Sequence, residues 1–324
     1  MAFSRVLVKL CAVLVSFLVF IAVGEIAVRL YTRSHIRYDM EMSRYAKALK
    51  LKSADPRIAH VHKPNGSAHL MGVDVRINSD GMRDREYPVE RNEKYRIIFL
   101  GDSLTLGWGV RQEETFENLI EEEINRRQPA EVINFGAGNY NTEQETHLFI
   151  EKGLKYRPDQ VVLFYFINDA EATLRESGWS FLERSELISF YWSRMRGFIS
   201  NLAASKNYKN YYADLYAPDA PGWAAAKESF LLLKQVCLDH GIKLQVVLLP
   251  ELHQLQHYPF EKEYAAVSDF LRANGIERLD LTPFFKGEAE PARLWVAPDD
   301  GHPNSAAHRL IARYAFDFIF PRGR

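Results

Sequence analysis

The chain has 324 residues, 47% of them hydrophobic and 26% charged, with a formal net charge of −1. That length accommodates one large domain with additions, and the balanced charge excludes the clustered basic excess that nucleic-acid binding requires. A disulfide between Cys11, in an apolar N-terminal run, and Cys237, in a predicted helix, is not expected, so the cysteines leave the redox compartment open.

Leu10 to Val23 is apolar apart from Ser16. Arg5 and Lys9 precede this run, and it continues through Ile26, Ala27, Val28 and Leu30 across Glu25 and Arg29. It meets the requirement of about 20 mostly apolar residues for a membrane helix, with Lys9 snorkelling to the interface. The reading adopted is a signal anchor. A cleaved signal peptide, with the small residues of Ala22-Val23-Gly24 at the right spacing, and a buried amphipathic helix are the alternatives. Arg29, Arg33, Arg37, Arg44 and Lys47 follow the span and, taken alone, would keep the main domain in the cytoplasm. The short basic head and apolar run favour export instead, and an exported, membrane-anchored domain is expected.

Residues 38–60 read as a polar linker. Val73, Val75 and Ile77 alternate with Asp74, Arg76 and Asn78 as in a half-buried strand, and Asn78 to Gly81 is a turn. The expected divisions are 1–37 (anchor and flank), 38–92 (linker and small β-rich extension, read as packing rather than substrate binding) and 93–324 (main domain, with an aromatic-rich insertion at 171–222).

From Tyr95 the chain alternates strand and helix. Ile97 to Leu100 is a buried run that stops at Gly101, and Ser103 lies just past its end. Phe116, Leu119, Ile120 and Ile124 recur at helical spacing. Val132 to Phe135 is a short strand, and Thr142-Glu-Gln-Glu145 resembles a capping box opening a helix to about Lys155. Gln160 to Phe166, Lys243 to Leu249 and Ile276 to Leu281 are further strands. Helices at about 223–240 and 260–274 precede the last two, and Asn304 caps a final helix to about Phe318. The pattern predicts an α/β fold, a three-layer α/β/α sandwich on a mostly parallel, flavodoxin-like sheet of about five strands. The insertion carries Trp179, Phe181, Phe190, Trp192, Phe198 and several tyrosines. It is either a lid or acceptor platform over the site or a helical addition with its own small core.

In open α/β sheets ligands bind at the C-terminal ends of strands, which is where Ser103 and Asn168 fall. A serine hydroxyl needs a base, and the base an orienting group. Far downstream, Asp299-Asp300-Gly-His302-Pro-Asn304 can supply both. His253 and His257, at i, i+4 on a possible helix, lack the glutamate of a zinc-peptidase motif, and His60 and His62 have no further ligand; both pairs read as solvated. His308 reads as structural. No metal site and no cofactor-binding glycine loop is expected.

Gly101-Asp102-Ser103-Leu104 resembles the signature of the GDSL, or SGNH, hydrolase family. Phe166-Ile167-Asn168-Asp169 resembles that family's asparagine block, Asp299-x-x-His302 its histidine block, and Asn134 to Thr142 stands where its glycine block belongs, with Asn139 on the usual glycine. The resemblance covers roughly residues 95–320, with the blocks in family order. It implies that Ser103 is the nucleophile, His302 the general base and acid, and Asp299 the orienter. Asp299 is preferred to Asp300 for its three-residue spacing. The oxyanion hole would comprise the N–H groups of Ser103 and Asn139 and the Asn168 amide. The expected activity is a serine esterase acting on acyl esters, O-acetyl groups of an envelope or exported polysaccharide among them. A polysaccharide O-acyltransferase using the same triad and a non-catalytic glycan-binding protein are the alternatives. The expected partners are a small-molecule or glycan ester and the membrane, with no nucleic acid.

Overall fold

The computed structural model describes residues 2–34, 36–173, 185, 187–188, 190–191 and 208–321. The chain divides into two compact units, one comprising 1–47 and 178–205 and the other 48–177 and 206–324.

In the first unit, α1 (Ala2–Ser34) is long and apolar enough over Arg5–Thr32 to cross a membrane, a property that a signal sequence near the N-terminus shares. Its Glu25 pairs with Arg29 one turn on, at 2.8 Å, and also accepts from Ser185 and the Leu187 N–H. The helix α2 (Tyr38–Leu49) begins here, and its Arg44 ties Glu41 to Thr32.

The second unit opens with two small antiparallel hairpins. β1 (Lys50–Lys52) pairs with β2 (His60–His62), and β3 (Ser67–Leu70) pairs with β4 (Val73–Arg76). The main sheet follows: β5 (Tyr95–Gly101), β6 (Ala130–Asn134), β7 (Gln160–Tyr165), β8 (Lys243–Leu248) and β9 (Glu277–Asp280), all parallel, in the order β6-β5-β7-β8-β9. Between and after these strands run α3 (Ser103–Leu106), α4 (Phe116–Asn125), α5 (Thr142–Leu148), α6 (Tyr208–Leu215), α7 (Pro221–Asp239), α8 (Glu261–Ala273), α9 (Thr282–Phe285) and α10 (Ser305–Ile319). A last hairpin joins β10 (Trp295–Ala297) to β11 (Asp300–Pro303).

Strands buried on both faces explain the continuous apolar runs. Ile98, Leu100, Val161 and Leu163 point to one side, onto α5, α7 and α8 through Leu148, Phe230 and Val267. Ile97, Phe99, Val162 and Phe164 point to the other, onto α4 and α10 through Phe116, Ile120 and Ile311. Each such side chain stabilises by about 1.5–3 kcal/mol on burial. The three-layer sandwich predicted from the sequence is therefore present, with β5 between β6 and β7 at the point where the strand order reverses.

Three local expectations need correction. The capping box at α5 is built one residue earlier, from Asn141, whose side chain accepts from the Gln144 N–H while Gln144 accepts from Asn141 in return. His253 and His257 lie in irregular backbone, not on a helix. His60 and His62 are not solvated: each ring bonds a backbone carbonyl, that of Gly138 and that of Gly81 respectively. Of the insertion, Trp179, Phe181, Trp192 and Phe198 lie outside the described residues.

Candidate active site

β5 ends at Gly101, where a Cβ would meet the Thr105 hydroxyl at 2.0 Å. Only glycine lets the first turn of α3 fold back this closely on the strand. Asp102 caps that turn, accepting from the Leu104 N–H at 2.8 Å, and Ser103 follows as its first residue. At the other end of α3, the buried guanidinium of Arg83 donates to the carbonyls of Leu106, Gly107 and Val110.

Ser103 Oγ lies 2.8 Å from His302 Nε2. His302 Nδ1 lies 2.5 Å from Asp300 Oδ1, so the ring donates to Asp300 through Nδ1 and presents an acceptor at Nε2 to the serine hydroxyl. The second Asp300 oxygen accepts from the Trp108 indole at 2.9 Å. Burial pushes the Asp300 carboxyl up, but its hydrogen bonds to His302 and Trp108 and the His302 charge outweigh this and leave it below its usual value.

The aspartate on the histidine is thus Asp300, not Asp299. The three-residue spacing assumed a loop, whereas Asp300 and His302 lie on β11 and residues two apart in a strand share a face. Asp299 sits exposed in the turn of the β10–β11 hairpin. Strand pairing in that short hairpin was the missed signal. Trp108 was missed as well, and nothing local marks it.

Asn168 follows β7 in a short 3-10 turn (Ile167–Ala170), close enough to Asp102 to counter part of the rise that burial imposes on its carboxyl. Asn168 Oδ1 is buried with no hydrogen-bond partner among the described residues. Asn139 has φ 67, the left-handed conformation that asparagine tolerates, in a loop pinned to the end of β5 by Ala137 N–H donating to Gly101 O at 3.1 Å. Lys50 on β1 reaches the same loop, donating to Gly138 O at 2.7 Å and Asn139 Oδ1 at 2.9 Å. Burial lowers the Lys50 ammonium to about 7, and burial together with the Lys50 charge lowers His60 to about 3.

Behind Ser103 lie three buried carboxylates, Asp102, Glu145 and Asp169. Burial, then their mutual repulsion, pushes Glu145 and Asp169 well above the usual carboxylate range, and burial raises Asp102. His308 is buried, stacked on Phe116 and accepting from the Phe116 N–H at 3.0 Å, a packing role. Among the described residues no group of three or more His, Cys, Asp or Glu side chains is arranged to hold a metal ion.

A model of the GDSL-like lipase/acylhydrolase family matches residues 99–310. No protein of curated function matches the sequence. Among solved structures, TesA is similar at 13% identity over 70% of this chain and 98% of its own, with a TM-score of 0.47. A catalytic mutant of Axe2, an acetylxylan esterase from Geobacillus stearothermophilus, is similar at 15% identity over 70% and 94%, with a TM-score of 0.45. The lipase/acylhydrolase from Enterococcus faecalis is similar at 16% over 71% and 99%, with a TM-score of 0.43. Likenesses at this level carry no argument about substrate.

Proposed function

The chain belongs to the GDSL-like lipase/acylhydrolase family and is a hydrolase acting on ester bonds, and from that premise we propose that it works through an acyl-serine intermediate on Ser103. The observation that carries this reading is the Ser103–His302–Asp300 chain of hydrogen bonds. Ser103 Oγ attacks the ester carbonyl and His302 Nε2 takes its proton. Asp300 holds the ring tautomer and offsets the charge that forms on the imidazole. Collapse of the tetrahedral intermediate expels the alcohol, which takes the proton back from His302. Water then repeats the cycle and releases the acid.

The oxyanion would be held by the N–H groups of Ser103 and Asn139 and the Asn168 amide. Support comes from the position of Ser103 and Asn168 just past the ends of β5 and β7 and from the loop of Asn139, which Ala137 N–H ties to Gly101 O at the end of β5. Removing one such donor typically costs about 2.7–4 kcal/mol. We place the enzyme at a membrane, exported, because Arg5 and Lys9 precede the apolar run of α1, and we take acyl esters of envelope or exported polysaccharide as its substrates. The same triad would serve transfer to a sugar hydroxyl.

Fluorophosphonate labelling of wild type, Ser103→Ala and His302→Ala tests the reading. Labelling is expected only in wild type, and an unlabelled, folded wild type would overturn it. Acetate release from an acetylated polysaccharide, with and without a glycan acceptor, separates hydrolysis from transfer.

A further inference from the structure

Ala137 to Tyr140 is a β-turn, closed by Tyr140 N–H donating to Ala137 O at 3.2 Å. Its third residue, Asn139, has φ 67, while its second, Gly138, is not among the positive-φ glycines. That combination is a type II turn. Type I and type II differ mainly in the central peptide, which turns over by roughly 150–170° between them. Here the central peptide carries Gly138 C=O on one edge and Asn139 N–H on the other. Since the bond is planar and trans, fixing the carbonyl fixes the N–H opposite it. For a residue with a Cβ the type II form is the less favoured one, so something must hold it.

Two donors from the β1–β2 hairpin meet that carbonyl. Lys50 Nζ lies 2.7 Å from Gly138 O, and His60 Nε2 lies 3.0 Å from it. A carbonyl can only accept, so His60 is the Nε2–H tautomer. Lys50 can donate whether protonated or neutral. Tyr140 holds the hairpin from the other side, its hydroxyl donating to His60 O and its ring packed edge-on to the imidazole at 4.9 Å.

We propose that Lys50 and His60 are positioning residues that lock the Gly138–Asn139 peptide in the orientation that aims Asn139 N–H at the oxyanion, and that polarise this amide as a donor. The proposal rests on the esterase reading above. It gives the hairpin ahead of the main sheet a part in catalysis without contact to substrate.

The test compares wild type with Lys50→Met, Lys50→Arg, His60→Leu and His60→Gln in hydrolysis of p-nitrophenyl acetate and in inhibition by phenylboronic acid, whose serine adduct places an oxygen in the oxyanion hole. Lys50→Met and His60→Leu are expected to lower kcat by about 10- to 100-fold, below the ceiling of about 10²–10³ for losing a whole donor. KM should stay within about twofold of wild type, since uniform binding is untouched. Boronic acid affinity should fall in step with kcat, and Lys50→Arg and His60→Gln should recover most of both. Variants with a lowered Tm but wild-type kcat per titrated active site, and unchanged boronic acid affinity, would overturn the proposal. So would a crystal structure of Lys50→Met in which Gly138 O keeps its present direction. A wild type inert to ester and boronic acid would instead sink the esterase reading, with the crystal structure still judging the clamp.

Discussion

The two ends of the central sheet treat buried charge in opposite ways. At the N-terminal end, Arg96 on β5 is fully buried and lies beside Glu131 on β6, its register partner. The guanidinium bonds Glu131 Oε2 at 2.7 and 2.9 Å and the carbonyls of Tyr156 and Pro88. Burial pushes Glu131 up, but its hydrogen bonds to Arg96 and Asn92 more than offset this, and its carboxyl ends below the usual value. At the C-terminal end, Glu145 is just as buried, has no hydrogen-bond partner on either oxygen among the described residues, and is pushed up. The first end spends its charges on holding strands together. The second keeps desolvated acids around Ser103, where a water-poor environment strengthens every dipole aimed at its hydroxyl.

The largest test of this contrast lies at the C-terminal end. Asp300→Asn should lower kcat by about 10⁴-fold, because the amide stabilises the wrong ring tautomer, with little change in Tm. Asp299→Asn should stay within about twofold, since Asp299 faces solvent. A reversed order in steady-state assays would return the orienting role to Asp299.

At the N-terminal end the expected effect is on stability alone. Glu131→Ala leaves the Arg96 guanidinium buried without its charge partner and should cost about 3–5 kcal/mol in urea unfolding. The kcat of the folded fraction should not change.

The pH dependence should then separate the ends. Glu131 is lowered in the fold, so its contribution is present above the ordinary glutamate value of 4.5 and is lost as pH falls through its folded value. Glu145 is raised, so its contribution is present below 4.5 and is lost as pH rises toward its folded value. The smallest effect is therefore a Tm gain in Glu145→Gln that opens as pH rises from 4.5. A constant Tm difference across pH would show that Glu145 does not titrate with folding.

Much of this was legible in the sequence because apolar runs and strand ends are local signals. Ile97 to Leu100 and Gln160 to Tyr165 announce buried parallel strands, and Ser103, Asn168 and His302 stand just beyond or within short elements that follow them. What could not be read depended on partners distant in the chain. His60 and His62 looked solvated because their acceptors lie 78 and 19 residues away. Asp300 was passed over because a spacing of three suits a loop and a spacing of two suits a strand, and a four-residue strand with a bulge leaves no periodic trace. The capping box slipped by one because Asn141 and Thr142 are both good caps.

The Arg83 guanidinium has a consequence for where the enzyme can be cut. It reaches from before β5 to three carbonyls at the far end of α3, which belong to the family-matched stretch that starts at residue 99. A fragment trimmed to that stretch would leave those carbonyls without their donor beneath the very turn that presents Ser103. The family-matched stretch and the stretch that holds its hydrogen-bond partners therefore have different edges in this protein. Anyone grafting or shuffling the domain should carry along everything from Lys50 onward.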